Sequence, residues 1–275
     1  MSVDVTVFQR HLLTSPRRYS RHTVVKRVAI ARRWLAWCGD PWAATVHDVE
    51  RWAGELGMSA TGTRDAVSHL RQFYRWAIRS GMTATDPTAT VELPRVPRRL
   101  PRPARDVAIG AAVMAGDGEL RAMLALMSGA GLRCCEVARL RWSDVNLLEH
   151  LIHVTGKGNR ERVLEISVDI ARVLAAIDHP GAAVFVSVRT GDPYSACRVS
   201  QKINQHLRSV GAGCTAHQLR HRFATRALAD CHDMTTVRDL MGHSSVSVTE
   251  IYAAVTPGAG GKVSRAIPVP GLSAA

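Results

Sequence analysis

The chain has 275 residues, 46% hydrophobic and 21% charged, which is the balance of a folded globular protein and excludes a disordered or fibrous one. This length is enough for two domains. The formal net charge of +13 favours a polyanionic partner, although a solvated basic surface without a partner would give the same charge.

The six cysteines are scattered and form no CxxC pair, so we expect a reduced, cytosolic protein. The N-terminus has neither the charged region nor the apolar run of a signal peptide. No apolar stretch reaches the length of a membrane helix, so we expect no membrane partner.

Residues 1–93 are predicted to form a helical domain. Helices are expected from Ser20 to Cys38, from Thr45 to Leu56 and from Ser59 to Gly81, because each begins at a capping residue. The apolar positions at helical spacing in the first are Val24, Val28, Ala31 and Leu35, and in the third Val67, Leu70, Tyr74 and Ala77. Five of the six tryptophans lie here, and we expect them to fill the core; a platform for stacking bases is the alternative.

This first domain is densely basic, with 16 Lys and Arg against 8 Asp and Glu in residues 1–100. One face of the third helix carries the candidate DNA-binding residues Arg64, Arg71, Arg75 and Arg79. A proline-rich linker, 94–103, follows and must be extended because proline removes a helical donor. It carries Arg95, Arg98, Arg99 and Arg102, which are further candidates for contacting DNA, unless the linker is an ordinary solvated connector.

Residues 104–256 are predicted to form a second domain that is mostly helical with a small antiparallel sheet (α+β). Alternating residues in 150–155 and 162–166 indicate a hairpin closed around 156–159. Helices are expected near 106–115, 118–129, 134–141, 168–177, 197–210, 216–230, 233–241 and 246–255. The tail, 257–275, is rich in Gly, Pro, Ala and Ser and is expected to be flexible.

The strongest functional signal is an ordered set of polar motifs in this second domain. Arg133 and Glu136 follow Gly131-Leu132, and Lys157 lies in a turn between two glycines. A later motif contains His217 and Arg220. His243 follows Met241-Gly242, and Tyr252 comes nine residues after His243. Such a set suits chemistry on a phosphodiester, because cations stabilise its anionic transition state and a phenol can attack it.

Within this set, neighbouring side chains are expected to cooperate. Arg133 at a predicted helix start would face an anion, with Glu136 one turn later holding its guanidinium. His217 and Arg220 share a helical face, so both can reach one phosphate, and His217 can accept a proton. His221 points elsewhere, and we interpret it as structural rather than catalytic.

Two other interpretations of these motifs are weaker. His217 and His221 have the spacing of a zinc-binding HExxH motif, but Gln218 stands where the glutamate would be, and the nearby Cys214, Cys231 and His232 complete no regular ligand set. The turn around Lys157 lacks the spacing of a phosphate-binding P-loop. We therefore expect no metal site.

The motifs, in this order and spacing, resemble the tyrosine recombinase (phage integrase) family from about residue 5 to about residue 256. The resemblance implies that Tyr252 forms a 3′-phosphotyrosyl link to DNA, with Arg133, Arg220 and His243 on the phosphate. It also implies that Lys157 protonates the leaving 5′ oxygen; Arg160 and Arg162 would support contact with the DNA backbone. Since the bond energy is kept in the covalent link, we expect no cofactor.

The resemblance further implies a core-type DNA-binding domain in residues 1–93 and a homotetramer on two duplexes in the synaptic complex. We expect a phage or mobile-element integrase of the bacterial cytoplasm and nucleoid that acts on attachment-type core sites and has no arm-binding domain. An accessory directionality factor is a further candidate partner. The alternatives are a chromosome-dimer-resolving recombinase, a topoisomerase of type IB, and a non-catalytic DNA-binding protein.

Overall fold

The computed structural model describes residues 4–96, 102–156, 161–177, 181–242 and 270–271. These form a mostly helical protein with one small antiparallel sheet, as predicted. The chain divides into two compact units, Met1–Arg99 and Leu100–Ala275. No helix in the described ranges is both long and apolar enough to cross a membrane.

The described residues of the first unit form four helices: α1 (Val5–Thr14), α2 (Arg21–Trp37), α3 (Val46–Glu55) and α4 (Ala60–Arg79). Ser20, Thr45 and Ser59 cap α2, α3 and α4 through their side-chain oxygens, as their sequence predicted. Helix α1 was missed, although Asp4 caps it and Phe8 and Leu12 recur on its buried face.

Aromatic side chains fill the core of this unit. Trp34, Trp52 and Trp76 are buried, which confirms that these tryptophans pack in the core. Trp34 takes the core position of α2 that was expected for Leu35, which is only half-buried. Its ring lies edge-on to Trp52, with 5.4 Å between the ring centroids.

The second unit surrounds α6 (Gly118–Gly129), whose side chains are buried over most of its length. Helices α5 (Asp106–Ala115), α8 (Val168–Ala175), α9 (Ala196–Ser209) and α10 (Ala216–Cys231) pack against it. The remaining helices are the four-residue α7 (Cys134–Val137) and α11 (Met234–Met241), and Trp142–Asp144 form one 3-10 turn.

The sheet has three strands in the order β1 (Val145–Asn146), β2 (Leu151–Thr155) and β3 (Glu161–Glu165), all antiparallel. The predicted hairpin corresponds to β2 and β3, with Ile152 opposite Leu164, and β1 adds a short edge strand that was not expected. Helix α7 is much shorter than its predicted range of 134–141. It ends early because the backbone at Leu140 and Trp142 hydrogen-bonds instead to residues 182–184.

Two ion pairs join α5 to α10; in the first the Arg222 side chain is buried, and in the second Arg226 is mostly exposed. Arg222 donates from Nε to Asp106 at 2.8 Å and from Nη1 to the carbonyl of Ser128 at 3.1 Å, and Arg226 donates to the other oxygen of Asp106 at 2.7 Å. These hydrogen bonds, led by that of Arg222, lower the pKa of Asp106. Helix α10, which carries the His217 motif, is thereby held against the start of the unit.

Parts of the predicted linker and tail belong to this unit. The carbonyl of Arg102 accepts from the Gln218 side chain at 2.9 Å, so the last linker residues run beside α10 and are not a free connector. Pro270 and Gly271 pack against Gly110 of α5. The rest of the tail lies outside the described residues.

A buried hydrogen-bonded hydroxyl gives a test of the first core. The Tyr74 hydroxyl donates to the Pro41 carbonyl at 2.8 Å and accepts from Trp34 Nε1 at 2.9 Å. Tyr74→Phe leaves both partners unpaired, so it should lower the free energy of unfolding by about 1–3 kcal/mol in urea denaturation. Tyr19→Phe, at a partly buried ring of the same unit, is the control and should change it much less. Equal effects would show that the Tyr74 hydroxyl is not a significant structural partner.

Candidate active site

The site is organised around the carboxylate of Glu136, which is 4% exposed. It accepts from Arg133 Nη1 at 2.8 Å and from the Arg133 backbone N–H at 2.9 Å. Arg162 donates to both carboxylate oxygens, at 3.0 and 2.9 Å, and Arg220 Nη1 lies 3.8 Å away. The contact that the sequence predicted between Glu136 and the Arg133 guanidinium is therefore present.

The charge of Glu136 is maintained by these partners. Burial by itself would raise its pKa, but the hydrogen bonds and charge of Arg162, the Arg133 backbone N–H and the charge of Arg220 outweigh burial and lower the pKa below its ordinary value. Glu136 therefore remains a carboxylate at neutral pH and can hold several guanidinium groups at once.

The last carbonyls of α11 bind three different arginines. Arg162 Nε donates to Leu240 O at 2.9 Å, Arg220 Nη2 donates to Met241 O, and Arg133 Nη2 donates to Gly242 O at 3.1 Å. A helix C-terminus has carbonyls without intrahelical partners and a partial negative charge, so cations are stabilised there. The three arginines thus provide hydrogen-bond donors for carbonyls at the end of this helix that have no intrahelical partner.

Arg220 is held between the end of α11 and the turn that precedes Arg133. Its Nη1 donates to the carbonyl of Gly131, in the turn that leads into Arg133, and only 3% of the residue is exposed. Gly131 has φ +68°, and a Cβ at this position would lie 2.4 Å from Cδ1 of Phe223. Only glycine allows this turn to approach α10 so closely and to present its carbonyl to Arg220.

Arg133 is less enclosed, with 30% of its side chain exposed. Because α7 is only one turn long, it contributes little macrodipole, so the helix start adds little to the anion binding that was expected of Arg133. The position of Arg133 is instead set by Glu136 and Gly242. Its partial exposure leaves it accessible to a ligand.

His217 lies one turn before Arg220 on α10 and is exposed. Partial desolvation, followed by the charges of Arg220 and Arg133, lowers the pKa of His217. The rings of His217 and His221 are nearly perpendicular, with 4.3 Å between their centroids. Desolvation, followed by the charges of His217 and Arg220, lowers the pKa of His221 to about 4. Both imidazoles are therefore neutral near pH 7 and can accept protons.

Within the described ranges, no group of three or more His, Cys, Asp and Glu side chains could hold a metal ion. The structure brings together Arg133, Glu136, His217 and Arg220 from the predicted set. Lys157, Arg160, His243 and Tyr252 fall outside the ranges that the structure describes. Gly242, which binds Arg133, directly precedes His243 in the chain.

From the sequence, Arg162 was expected to support contact with the DNA backbone, whereas in the structure its hydrogen bonds go to the protein. Its side chain is 12% exposed, and all three guanidinium nitrogens donate to protein acceptors. The strand alternation contains the missed signal, because Arg162 shares a face of β3 with the buried Leu164.

The candidate DNA-binding arginines differ in their surroundings. Arg75, Arg79, Arg95 and Arg102 are exposed, and Arg64 is exposed with one bond to the Pro94 carbonyl at 3.3 Å. Arg71 is half-buried and donates from Nη2 to Thr88 O at 2.6 Å, so it is less exposed than the other three candidate arginines of α4. Arg98 and Arg99 are not among the described residues.

Comparison with known proteins identifies the family of this chain. Residues 110–258 match the model of the phage integrase family. The chain is 34% identical over 237 residues to tyrosine recombinase XerD of Xanthomonas axonopodis pv. citri (strain 306), covering 77% of each chain. This chain belongs to the phage integrase family.

Solved structures of the family share its fold. The integrase of mycobacterium phage Brujita is 26% identical, with a TM-score of 0.51 over 98% of this chain and 92% of that one. A lambda integrase dimer bound to a COC′ core site is 18% identical, with a TM-score of 0.74 over 90% of this chain and 93% of that one. The protein is thus a tyrosine-type site-specific DNA recombinase, an enzyme that cleaves and rejoins DNA.

The Gly131 turn gives a test of how the recombinase site depends on backbone geometry. Gly131→Ala should disrupt the site, because it combines a strained positive φ with a clash against Phe223. Gly213→Ala is a matched control, with φ +63° and nothing within 4 Å of the added Cβ.

The control should cost on the order of 1 kcal/mol of unfolding free energy from backbone strain. Gly131→Ala should cost a further ~1–3 kcal/mol from overpacking and should also slow DNA cleavage. Urea denaturation and a single-turnover cleavage assay measure the two effects. If the two variants behave alike, the contact with Phe223 does not constrain the site.

Proposed function

We propose that this recombinase cleaves DNA through Tyr252 and that Arg133 and Arg220 are the principal groups on the scissile phosphate. The observation that carries the proposal is the binding of both arginines to Glu136 and to successive carbonyls at the end of α11. This arrangement places two fixed guanidinium groups beside the chain that continues into His243 and Tyr252.

The charge of the site suits an anionic transition state. The guanidinium groups of Arg133, Arg162 and Arg220 face a single carboxylate, that of Glu136, so the cluster keeps an excess of positive charge. Prearranged cations lower the barrier because they need no reorganisation when negative charge develops on the phosphate. Arg133, as the more exposed of the pair, is the better placed to meet a DNA phosphate.

The chemical step follows from these groups. The Tyr252 oxygen attacks phosphorus, a bond between them forms, and the bond from phosphorus to the 5′ oxygen breaks. Neutral His217 accepts the phenolic proton, Lys157 gives a proton to the departing 5′ oxygen, and His243 hydrogen-bonds a non-bridging oxygen. Attack of a 5′ hydroxyl on the phosphotyrosine reverses the step and rejoins DNA without a nucleotide cofactor.

The partner we propose is double-stranded DNA with attachment-type core sites. The net charge of +13 and the exposed Arg64, Arg75 and Arg79 on α4 support backbone contacts by the first unit. Residues 1–93 would then be a core-type DNA-binding domain and 104–256 the catalytic domain. Recombination would use a homotetramer on two duplexes, in the bacterial cytoplasm at the nucleoid, with an accessory directionality factor as a further proposed partner.

The biological task we propose is integration of a phage or mobile element. Resolution of chromosome dimers is a second candidate, favoured by the 34% identity to XerD. Recombination of plasmids that carry either an attachment-type site or a chromosomal resolution site from the same host distinguishes the two tasks.

A covalent intermediate tests the proposed nucleophile. A nicked suicide substrate with the correct core site should give the wild-type protein a protein–DNA adduct that survives SDS. Tyr252→Phe should bind the same DNA and give no adduct, because the attacking oxygen is missing. Tyr19→Phe is the control and should form the adduct normally. An adduct with Tyr252→Phe would identify another nucleophile.

The role of Lys157 can be separated from that of the arginines. Replacing the bridging 5′ oxygen with sulfur gives a leaving group that needs no proton. Lys157→Ala should cleave normal DNA about 10²–10⁴-fold more slowly, as expected for loss of a general acid, and recover most of that rate on the sulfur substrate. Arg133→Ala should remain impaired by about 10²–10³-fold on both substrates, because sulfur does not replace its charge. Failure of sulfur to rescue Lys157→Ala would mean that another group, first His217, supplies the proton.

A further inference from the structure

Arg162 stands apart from the other two arginines of the cluster. Arg133 and Arg220 belong to the set proposed to face the phosphate. Arg162 does not belong to that set, and all three of its guanidinium nitrogens donate to protein acceptors. Its side chain is 12% exposed and lies on β3, five residues after Lys157 in the chain. It is therefore a largely buried cation whose guanidinium is held by the protein.

The hydrogen bonds of Arg162 close a ring across three segments. Arg162 binds both oxygens of Glu136, Glu136 binds Arg133, and Arg133 binds the carbonyl of Gly242. Gly242 is two residues after Leu240, whose carbonyl returns to Nε of Arg162 at 2.9 Å. The ring thus links β3, α7 and the end of α11, the elements that lead to or carry Lys157, Arg133 and His243.

The backbone around the ring is adapted to Arg162. Gly242 has φ +58°, and a Cβ there would lie 2.8 Å from Nη1 of Arg162. The guanidinium therefore occupies the space that a side chain at the end of α11 would need. A planar fork with a third donor at Nε is required to hold two carboxylate oxygens and a carbonyl together, and an ammonium group lacks this geometry.

We propose that Arg162 is a positioning residue for strand cleavage: it sets Arg133 through Glu136 and sets the entry into His243 through the end of α11. It acts in the transition state and not in DNA binding. The inference rests on the proposed function of Arg133 and His243.

The test compares Arg162→Gln, Arg162→Lys and the control Arg172→Gln in the full-length protein. Arg172, on α8, is also in the second unit, but it is a surface residue, with 74% of its side chain exposed, so its loss changes net charge without touching the ring. The readouts are DNA affinity with its salt dependence and the single-turnover cleavage rate at saturating suicide substrate.

Arg162→Gln should bind DNA like the wild type and cleave about 10²-fold more slowly at saturation, because misplaced catalytic groups lose that order of rate. Arg162→Lys keeps the charge but not the fork, and should remain clearly impaired. Arg172→Gln should cleave normally. The contrary result would be normal cleavage by Arg162→Gln at saturation, together with a decrease of about one in the slope of log affinity against log salt concentration. That result would mean that Arg162 contacts a phosphate, and it would overturn the proposal.

A double variant separates positioning from stability. Arg162→Gln leaves the buried Glu136 with fewer partners and should lower thermal stability; Arg162→Gln with Glu136→Gln removes that charge and should restore stability but not cleavage, because the ring stays open. Recovery of cleavage together with stability would overturn the proposal, since Arg162 would then only neutralise Glu136. Absence of the Tyr252 adduct in the wild type would overturn the proposed function itself, which is a different outcome.

Discussion

The structure of the second unit depends on one electrostatic constraint, the burial of the Glu136 carboxylate beside the end of α11. A buried carboxylate and a helix C-terminus both need positive partners, because each has negative charge or unsatisfied acceptors away from water. Three arginines from β3, α7 and α10 satisfy both needs at once. Removal of one such partner from a buried charge typically costs about 3–5 kcal/mol, so the cluster is strongly cooperative.

Two glycines determine whether this cluster can form. Gly131 lets the turn before Arg133 approach Phe223, and Gly242 leaves room for Arg162 at the end of α11. Both have positive φ, which other residues adopt only with strain. Because the carbonyls of these same glycines accept from Arg220 and Arg133, the backbone conformation at the two glycines also fixes the positions of these two arginines.

The surroundings of the site determine the protonation states of its titratable side chains. The lowered pKa of Glu136 keeps a negative charge available to hold Arg133, while the lowered pKa values of His217 and His221 keep those imidazoles neutral near pH 7. A neutral His217 beside two guanidinium groups is suited to accept a proton, which a charged imidazole could not do. The proposed charge stabilisation and the proposed base chemistry therefore both depend on the same group of cations.

Features that depend on local chemistry were predictable from the sequence. The capping residues Ser20, Thr45 and Ser59 marked helix starts correctly because a cap bonds its own first turn. The contact between Arg133 and Glu136 was predicted for the same reason, since the two residues are three apart in the chain. Helix α1 was missed, even though its cap and apolar spacing were present.

The sequence by itself determined the fold class, the helix starts and the order of the chemical groups, since each depends on residues close together in the chain. Only the tertiary structure decided the early end of α7, the internal use of Arg71 and the burial of Arg162. In each case the deciding partner is distant in sequence: residues 182–184, Thr88, and Glu136 with Leu240. An arginine has the same local pattern whether it meets solvent, DNA or a buried carboxylate, and long-range packing alone selects among them.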